Sequence, residues 1–165
     1  MKFIIMTLLS LFLSCSHKVK SGDRNLKKNE RPEFLKVYES YEDVRFYEKV
    51  KKGITTYEVK YEEKKREVSM TFDEKGKLIE TEKDLDYSEL PLDLRKRITQ
   101  YVDKNYPQAL IHETEKRTDL HGKNFIDIEI RHPSSESGYW ELSFDEEGNF
   151  VSREKEKYPP INTLN

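Results

Sequence analysis

The groups in this chain that could do chemistry are one thiol, four imidazoles and a surplus of carboxylates. The thiol is the most telling. Cys15 follows Leu11-Phe12-Leu13-Ser14 at the end of an apolar run from Phe3 to Leu13, and Lys2 supplies a basic start. That run is too short to cross ~30 Å of hydrocarbon as a helix, and its length suits the apolar core of a signal peptide. Small Ser14 before the thiol fits cleavage at that point, although Phe12 stands where an aliphatic residue is usual. The chemistry implied is acylation of the Cys15 sulfur, by palmitate or a related chain. No second cysteine exists, so an intramolecular disulfide is excluded. A lone free thiol suits an oxidising compartment poorly, whereas a thioether-linked lipid accounts for it. Each buried methylene contributes about 0.8 kcal/mol of membrane affinity, and two or more chains anchor stably.

The remaining groups do not assemble into a catalytic or metal-binding motif. His17 falls in a polar stretch, and His112, His121 and His132 are scattered without ligand spacing. The serines lack a nucleophile-elbow context. Paired carboxylates such as Glu62-Glu63 carry little information among 32 acidic residues. An open sheet is also expected to lack the enclosed pocket that shifts pKa values for catalysis. The expectation is therefore no enzyme, no metal and no cofactor.

Thirty basic against 32 acidic residues give a net charge of −2, a balance that argues against nucleic acid as a partner. Charged residues make up 38% and aromatics 12%, including ten tyrosines. Tyrosine buries a ring while keeping its hydroxyl wet, so it suits a thin sheet.

The elements that must position these groups follow from periodicity. Residues 1–14 read as the signal peptide and 15–31 as the lipidated cysteine with a flexible tether. A tether of this length reaches roughly 20–24 Å from a membrane. Its basic residues could also rest on anionic lipid. Pro32 is expected to open a helix with Phe34, Val37, Tyr38 and Tyr41 on one face. A second helix is expected from near Pro91, striped by Leu94, Ile98, Tyr101 and Val102, and ended by Asn105-Tyr106-Pro107. Elsewhere the period is two. Tyr57-Val59-Tyr61, Val68-Met70-Phe72, Ile126-Ile128-Ile130 and Trp140-Leu142-Phe144 alternate with polar residues, as antiparallel strands with one buried face do.

The pattern recurs. Val68 to Gly76 aligns with Trp140 to Gly148 at a constant offset of 72, sharing Phe-Asp-Glu-x-Gly. Aspartate opens a turn by accepting a backbone N–H two residues on, and glycine supplies positive φ at its end. A calcium loop would need six to eight oxygens, more than these turns offer. Residues 32–157 are thus expected to form an α+β tandem repeat, each copy a helix followed by an antiparallel strand meander. The copies would span about 32–87 and 88–157, in a curved sheet with helices on one face, before a tail of 158–165.

Tyr57-Glu58-Val59, Phe72-Asp73-Glu74-Lys75-Gly76, Ser88-Glu89-Leu90-Pro91, Tyr106-Pro107 and Phe144-Asp145-Glu146-Glu147-Gly148, in this order, resemble the beta-lactamase-inhibitor-like, PepSY-like lipoproteins of the bacterial envelope. The resemblance implies a two-part curved sheet, open on one face, that binds a protein or peptide and in one form inhibits a periplasmic enzyme. Small barrel-assembly lipoproteins resemble the same half-unit, so an outer-membrane assembly or scaffold role is the alternative. Ser16 after the cysteine, in place of an inner-membrane retention aspartate, points to an outer-membrane anchor facing the periplasm. Parity places the partner-binding candidates opposite the apolar positions: Glu58, Lys60, Asp127, Glu129, Arg131, Tyr139 and Glu141. Tyr139 is the foremost of these, since exposed aromatics anchor interfaces.

Overall fold

In the computed structural model, residues 22–131 and 139–156 are described. Nine strands form one antiparallel sheet: β1 (Gly22–Asn25), β2 (Arg45–Lys51), β3 (Ile54–Glu63), β4 (Arg66–Asp73), β5 (Leu78–Asp84), β6 (Leu110–Asp119), β7 (Asn124–Arg131), β8 (Tyr139–Asp145) and β9 (Phe150–Glu156). They lie side by side in chain order, so every strand pairs with its sequence neighbours. The four alternating runs read from the sequence are β3, β4, β7 and β8.

One α-helix, α1 (Leu92–Asn105), stands among the described residues. It begins after Pro91 and buries Ile98 and Val102, as its stripe requires. These residues pack on Ile126, Ile128 and Ile130 of β7 and on Leu142 and Phe144 of β8.

The expected tandem of helix-plus-meander units with helices on one face does not form. The stretch after Pro32 makes a 3₁₀ segment, Glu33–Tyr38, in which only Leu35 is buried. Val37, expected on its buried face, is 71% exposed. The physical reason is length and composition. Six residues, two of them aromatic and one β-branched, gain too few hydrogen bonds to offset helix nucleation. Their contacts are instead made by rings: Phe34 meets Tyr57 and Phe72 with centroids 5.7 and 5.8 Å apart, and Tyr38 meets Phe72 at 5.6 Å. The two strand groups do not stand as separate copies either, because β5 pairs directly with β6 from Glu80↔Asp119 to Asp84↔Glu115.

A further difference lies in the stretch assigned to the tether. Gly22–Asn25 pairs with β2 as an edge strand, and Leu26 behind it is buried with Leu35 and Phe46. Single apolar residues among charges carry no periodic signal, which is why Leu26 escaped the sequence reading.

The Phe-Asp-Glu-x-Gly turns form as anticipated. Asp73 Oδ1 accepts the N–H groups of Lys75 and Lys77, and Asp145 Oδ1 accepts those of Glu147 and Asn149. Gly76 and Gly148 close them at φ +81 and +83. Asp119 builds a third turn of this kind, accepting from His121 and Lys123 and closing on Gly122.

Candidate functional site

The face of the sheet opposite α1 is a charged trough. Its curvature follows from one long-range contact. Lys51 on β2 forms an ion pair with Glu154 on β9, seven strands away. Flat strands at ~4.8 Å spacing would hold these backbones roughly 33 Å apart, far beyond side-chain reach, so the sheet curls and its polar side becomes concave. The hollow measures about 600 Å³ and draws its lining from β2 to β6, β8 and β9.

Strand parity delivers the lining. Glu58 and Lys60 of β3, Ser69 and Thr71 of β4, Glu80 and Glu82 of β5, and Glu115 and Arg117 of β6 stand on the side opposite the apolar positions of their strands. Neighbouring side chains join them into a network. Glu58, 2% exposed, accepts from Ser69 Oγ at 2.9 Å and pairs with Lys49 Nζ at 2.8 Å. Lys60 Nζ donates to Glu67 at 2.6 Å. Arg117 donates to Asp127, itself 2% exposed, reaches Ser143 Oγ at 3.3 Å and lies 4.4 Å over the Phe125 ring. Burial pulls the Arg117 guanidinium down, but the hydrogen bond and charge of Asp127, with Glu80 and Glu82, outweigh it and hold the group above its ordinary value. At Lys60, burial likewise pulls the ammonium down while Glu67 and Glu58 pull it higher.

Two carboxylates at the seam of β5 and β6 behave differently. Burial, then the nearby Glu80 and Asp127, raises Glu82 to about 7. Burial, then Glu82, Glu113 and Asp84, raises Glu115 to about 8. Glu80 and Glu113 also titrate high, mainly through burial. These shifts arise on the trough face, with burial as the first cause and neighbouring carboxylates after it. Curling shields one face of the sheet from solvent. Asp84, Glu113 and Glu115 bring carboxylate oxygens within 4.8 Å of one another and could hold a cation. Asp84 is already engaged, accepting the Glu67 N–H at 3.1 Å.

The residues singled out by parity separate into two groups. Glu58, Lys60 and Glu141 line the trough. Asp127 lies beneath Arg117 on the same face, and the burial of Glu58 and Asp127 means that these two are not part of a solvated charged surface. Glu129, Arg131 and Tyr139 gather elsewhere, around His112. The His112 imidazole lies 3.9 Å from Glu129 and its ring centre 5.1 Å from that of Tyr139, while Arg131 lies 5.8 Å from the same tyrosine ring. Tyr139 is half-buried against these neighbours, so it is less open than an interface anchor was expected to be. Cys15 lies outside the described residues. Sequence reading missed Lys49, Glu80, Glu82, Glu115 and Arg117. The alternation Glu80-x-Glu82-x-Asp84 and Glu113-x-Glu115-x-Arg117 carried the signal, but without aliphatic residues between the charges it did not register as strand.

No protein-family model matches the chain, and neither does any curated protein. Solved structures do. A DUF2874 family protein from Bacteroides ovatus is similar at 15% identity, covering 74% of this chain and 82% of that one, with a TM-score of 0.56. A BLIP-like protein from Bacteroides fragilis is similar at 14% identity, covering 79% and 86%, with a TM-score of 0.52. A protein from Bacteroides eggerthii with a provisional periplasmic label is similar at 9% identity, covering 75% and 88%, with a TM-score of 0.58. At these identities the likeness speaks for the fold alone, and the chain has a BLIP-like fold.

Proposed function

We propose that this protein is a non-enzymatic binding module of the bacterial envelope, held to the membrane through acylated Cys15, and that its trough receives a segment of another protein. The observation that carries this reading is the trough itself, a concave sheet face of about 600 Å³ whose charges mostly neutralise one another. Paired charges offer a shaped, polar surface that can exchange hydrogen bonds with a polypeptide, and complementary charges set partner choice and orientation. The likeness to a BLIP-like protein supports an enzyme as the occupant, with inhibition as the consequence. The apolar run before Cys15 supports the envelope location.

A photo-reactive amino acid at Ser152, which lines the trough on β9 and is exposed, should cross-link one predominant envelope protein in growing cells. Cross-linking there should disappear when unlabelled protein competes but persist with a Ser152→Trp competitor, whose bulk occupies the trough. A soluble hydrolase as the captured protein would support inhibition, and barrel proteins would favour an assembly role. Capture that the Ser152→Trp competitor abolishes as well as the natural chain does would move the interface off this face. The anchor is tested separately by labelling with palmitate, and Cys15→Ala protein that still takes up label would refute it.

A further inference from the structure

Resting on the reading of Cys15 as an acylated anchor, we propose that one end of the sheet docks on the bilayer. The β2–β3, β4–β5 and β6–β7 turns lie on a surface of anionic phospholipid, with their lysines among the phosphates and their exposed aliphatic side chains at headgroup depth.

The chain itself limits how far the sheet can stand from its anchor. β1 begins at Gly22, so residues 16–21 alone, six in all, separate it from Cys15. As a flexible link they span roughly 12–15 Å, and at full extension about 24 Å. Gly22 pairs with Val50, two residues before Lys52 at the tip of the β2–β3 hairpin. Strands laid antiparallel in chain order put the β2–β3, β4–β5, β6–β7 and β8–β9 turns at this same end of the sheet. The anchor therefore holds these turns, and not the opposite end, beside the lipid.

What the turns carry suits that surface. Exposed Lys52 precedes Ile54, which is 67% exposed. Exposed Lys75 and Lys77 precede Leu78, and Leu120 stands in one turn with Lys123, both of these apolar side chains reaching solvent. None of the four lysines is held by an ion pair among the described residues, whereas Lys49, Lys51 and Lys60 of the trough are all paired. Asp73 and Asp119 are spent on the backbone N–H groups of their own turns, which leaves Glu74 as the carboxylate facing out. Lysine beside exposed aliphatic residues is the pairing that a lipid–water interface rewards, because stems bury while ammonium groups reach phosphate. The contrast within the molecule is sharp. Where the β4–β5 turn reads Glu74-Lys75-Gly76-Lys77, its counterpart 72 residues on reads Glu146-Glu147-Gly148-Asn149, and that acidic turn joins the two strands farthest in sheet order from anchored β1. At the opposite end Lys64 and Lys65 also sit on a turn, but beside Glu62, Glu63 and Glu67 and with no aliphatic neighbour. Turns spread over six strands meet a plane of headgroups more readily than one inserted segment.

Lysine footprinting with a membrane-impermeant acetylating reagent tests this on the intact chain. Cys15 is coupled to a maleimide lipid, which fixes the anchor whatever cells attach there, and the protein is held on vesicles of three parts phosphatidylcholine to one part phosphatidylglycerol. Lys52, Lys75, Lys77 and Lys123 should react at least fivefold more slowly than in lipid-free protein, while Lys64 and Lys65 keep their rates. The protection should vanish on pure phosphatidylcholine and in half-molar salt. In a second measurement, Cys15→Ala protein should bind the mixed vesicles weakly, and adding K52E/K75E/K77E/K123E should lower that binding at least tenfold. All four side chains are exposed, so the variant should fold, and its circular dichroism checks that. Protection of Lys64 and Lys65 instead, equal protection of both ends, or none at either would overturn the docked end, as would unchanged binding by the charge-reversed variant. Protection that persists on pure phosphatidylcholine would overturn the role of anionic lipid. Absent palmitate labelling in cells with the footprint intact would remove the natural anchor and leave the lipid-facing end standing. Labelling without the footprint would do the reverse.

Discussion

The strands before the seam and those after it cover the same side of one sheet with different material. Above β7 and β8 the filling is mostly aliphatic, brought by α1: eight buried residues, led by Ile98, Val102 and the three β7 isoleucines. Above β3 and β4 five buried residues suffice, and the surrounding layer is aromatic: Phe34, Tyr38, Tyr57 and Tyr61. Tyr41 extends this layer, its ring centre 4.7 Å from that of Tyr61 and tilted by 51°. Arg31 closes one end, its guanidinium 4.1 Å over the Phe46 ring. The difference teaches that rings can stand in for a helix. Aromatic side chains bury more area per residue, and their hydroxyls remain at the water's edge. A six-residue 3₁₀ segment can therefore roof a sheet that elsewhere takes a fourteen-residue helix.

The comparison is broken most directly by deletion under each roof. Ile98→Ala should cost about 3 kcal/mol, as for a fully buried aliphatic side chain. Val37→Ala, at the position expected to share the buried face of the first helix, should change stability by no more than about 0.5 kcal/mol. Urea unfolding of both variants reads the contrast, and similar losses would mean that the 3₁₀ roof is seated like the helix.

The glycine turns sharpen it. A Cβ on Gly76 would stand 2.7 Å from the Phe34 ring, and one on Gly148 would stand 2.9 Å from Leu94. Gly122 closes the same kind of turn with nothing within 4 Å. Gly122→Ala should thus show the cost of left-handed backbone alone, about 1 kcal/mol. Gly76→Ala and Gly148→Ala should lose roughly 2 kcal/mol or more, because each turn also supports a roof. Thermal melts that place all three variants together would show that neither roof rests on its turn.

The seam gives the most conditional effect, because it depends on pH. Folding raises Glu82 and Glu115 from an ordinary value of 4.5, so the folded chain binds more protons than the unfolded one. Their contribution is full below pH 4.5 and is lost as pH rises through about 7 and about 8. Stability should fall between pH 5 and pH 9, and E82Q/E115Q should flatten that fall. Denaturant midpoints across the range check it, and a decline of equal size in the double variant would place its origin elsewhere.

Much of the strand pattern was legible, because Ile126-Ile128-Ile130 or Val68-Met70-Phe72 can satisfy a period of two only as half-buried strands. α1 was legible through its proline, its stripe and its Asn-Tyr-Pro stop. The first roof was not. Phe34, Tyr38 and Tyr41 satisfy a helical period on paper, and nothing local reveals that aromatic contacts with β3 and β4 will replace intrahelical bonds. The trough was half legible. Parity named Glu58, Lys60 and Asp127, but their burial depends on the curl of the sheet, a long-range property carried by Lys51 and Glu154 across 103 residues.

The strictly sequential strand order has a consequence for how the molecule is made. Every ladder joins neighbours in the chain, and even the longer connections, residues 26–44 before β2 and the stretch holding α1 before β6, close loops whose entropy cost grows only slowly with length. Such low contact order favours fast folding for an all-antiparallel sheet. A polypeptide threaded through a membrane pore could lay down one strand on the last as it emerges, and the curl would set only when the ninth strand arrives to meet the second.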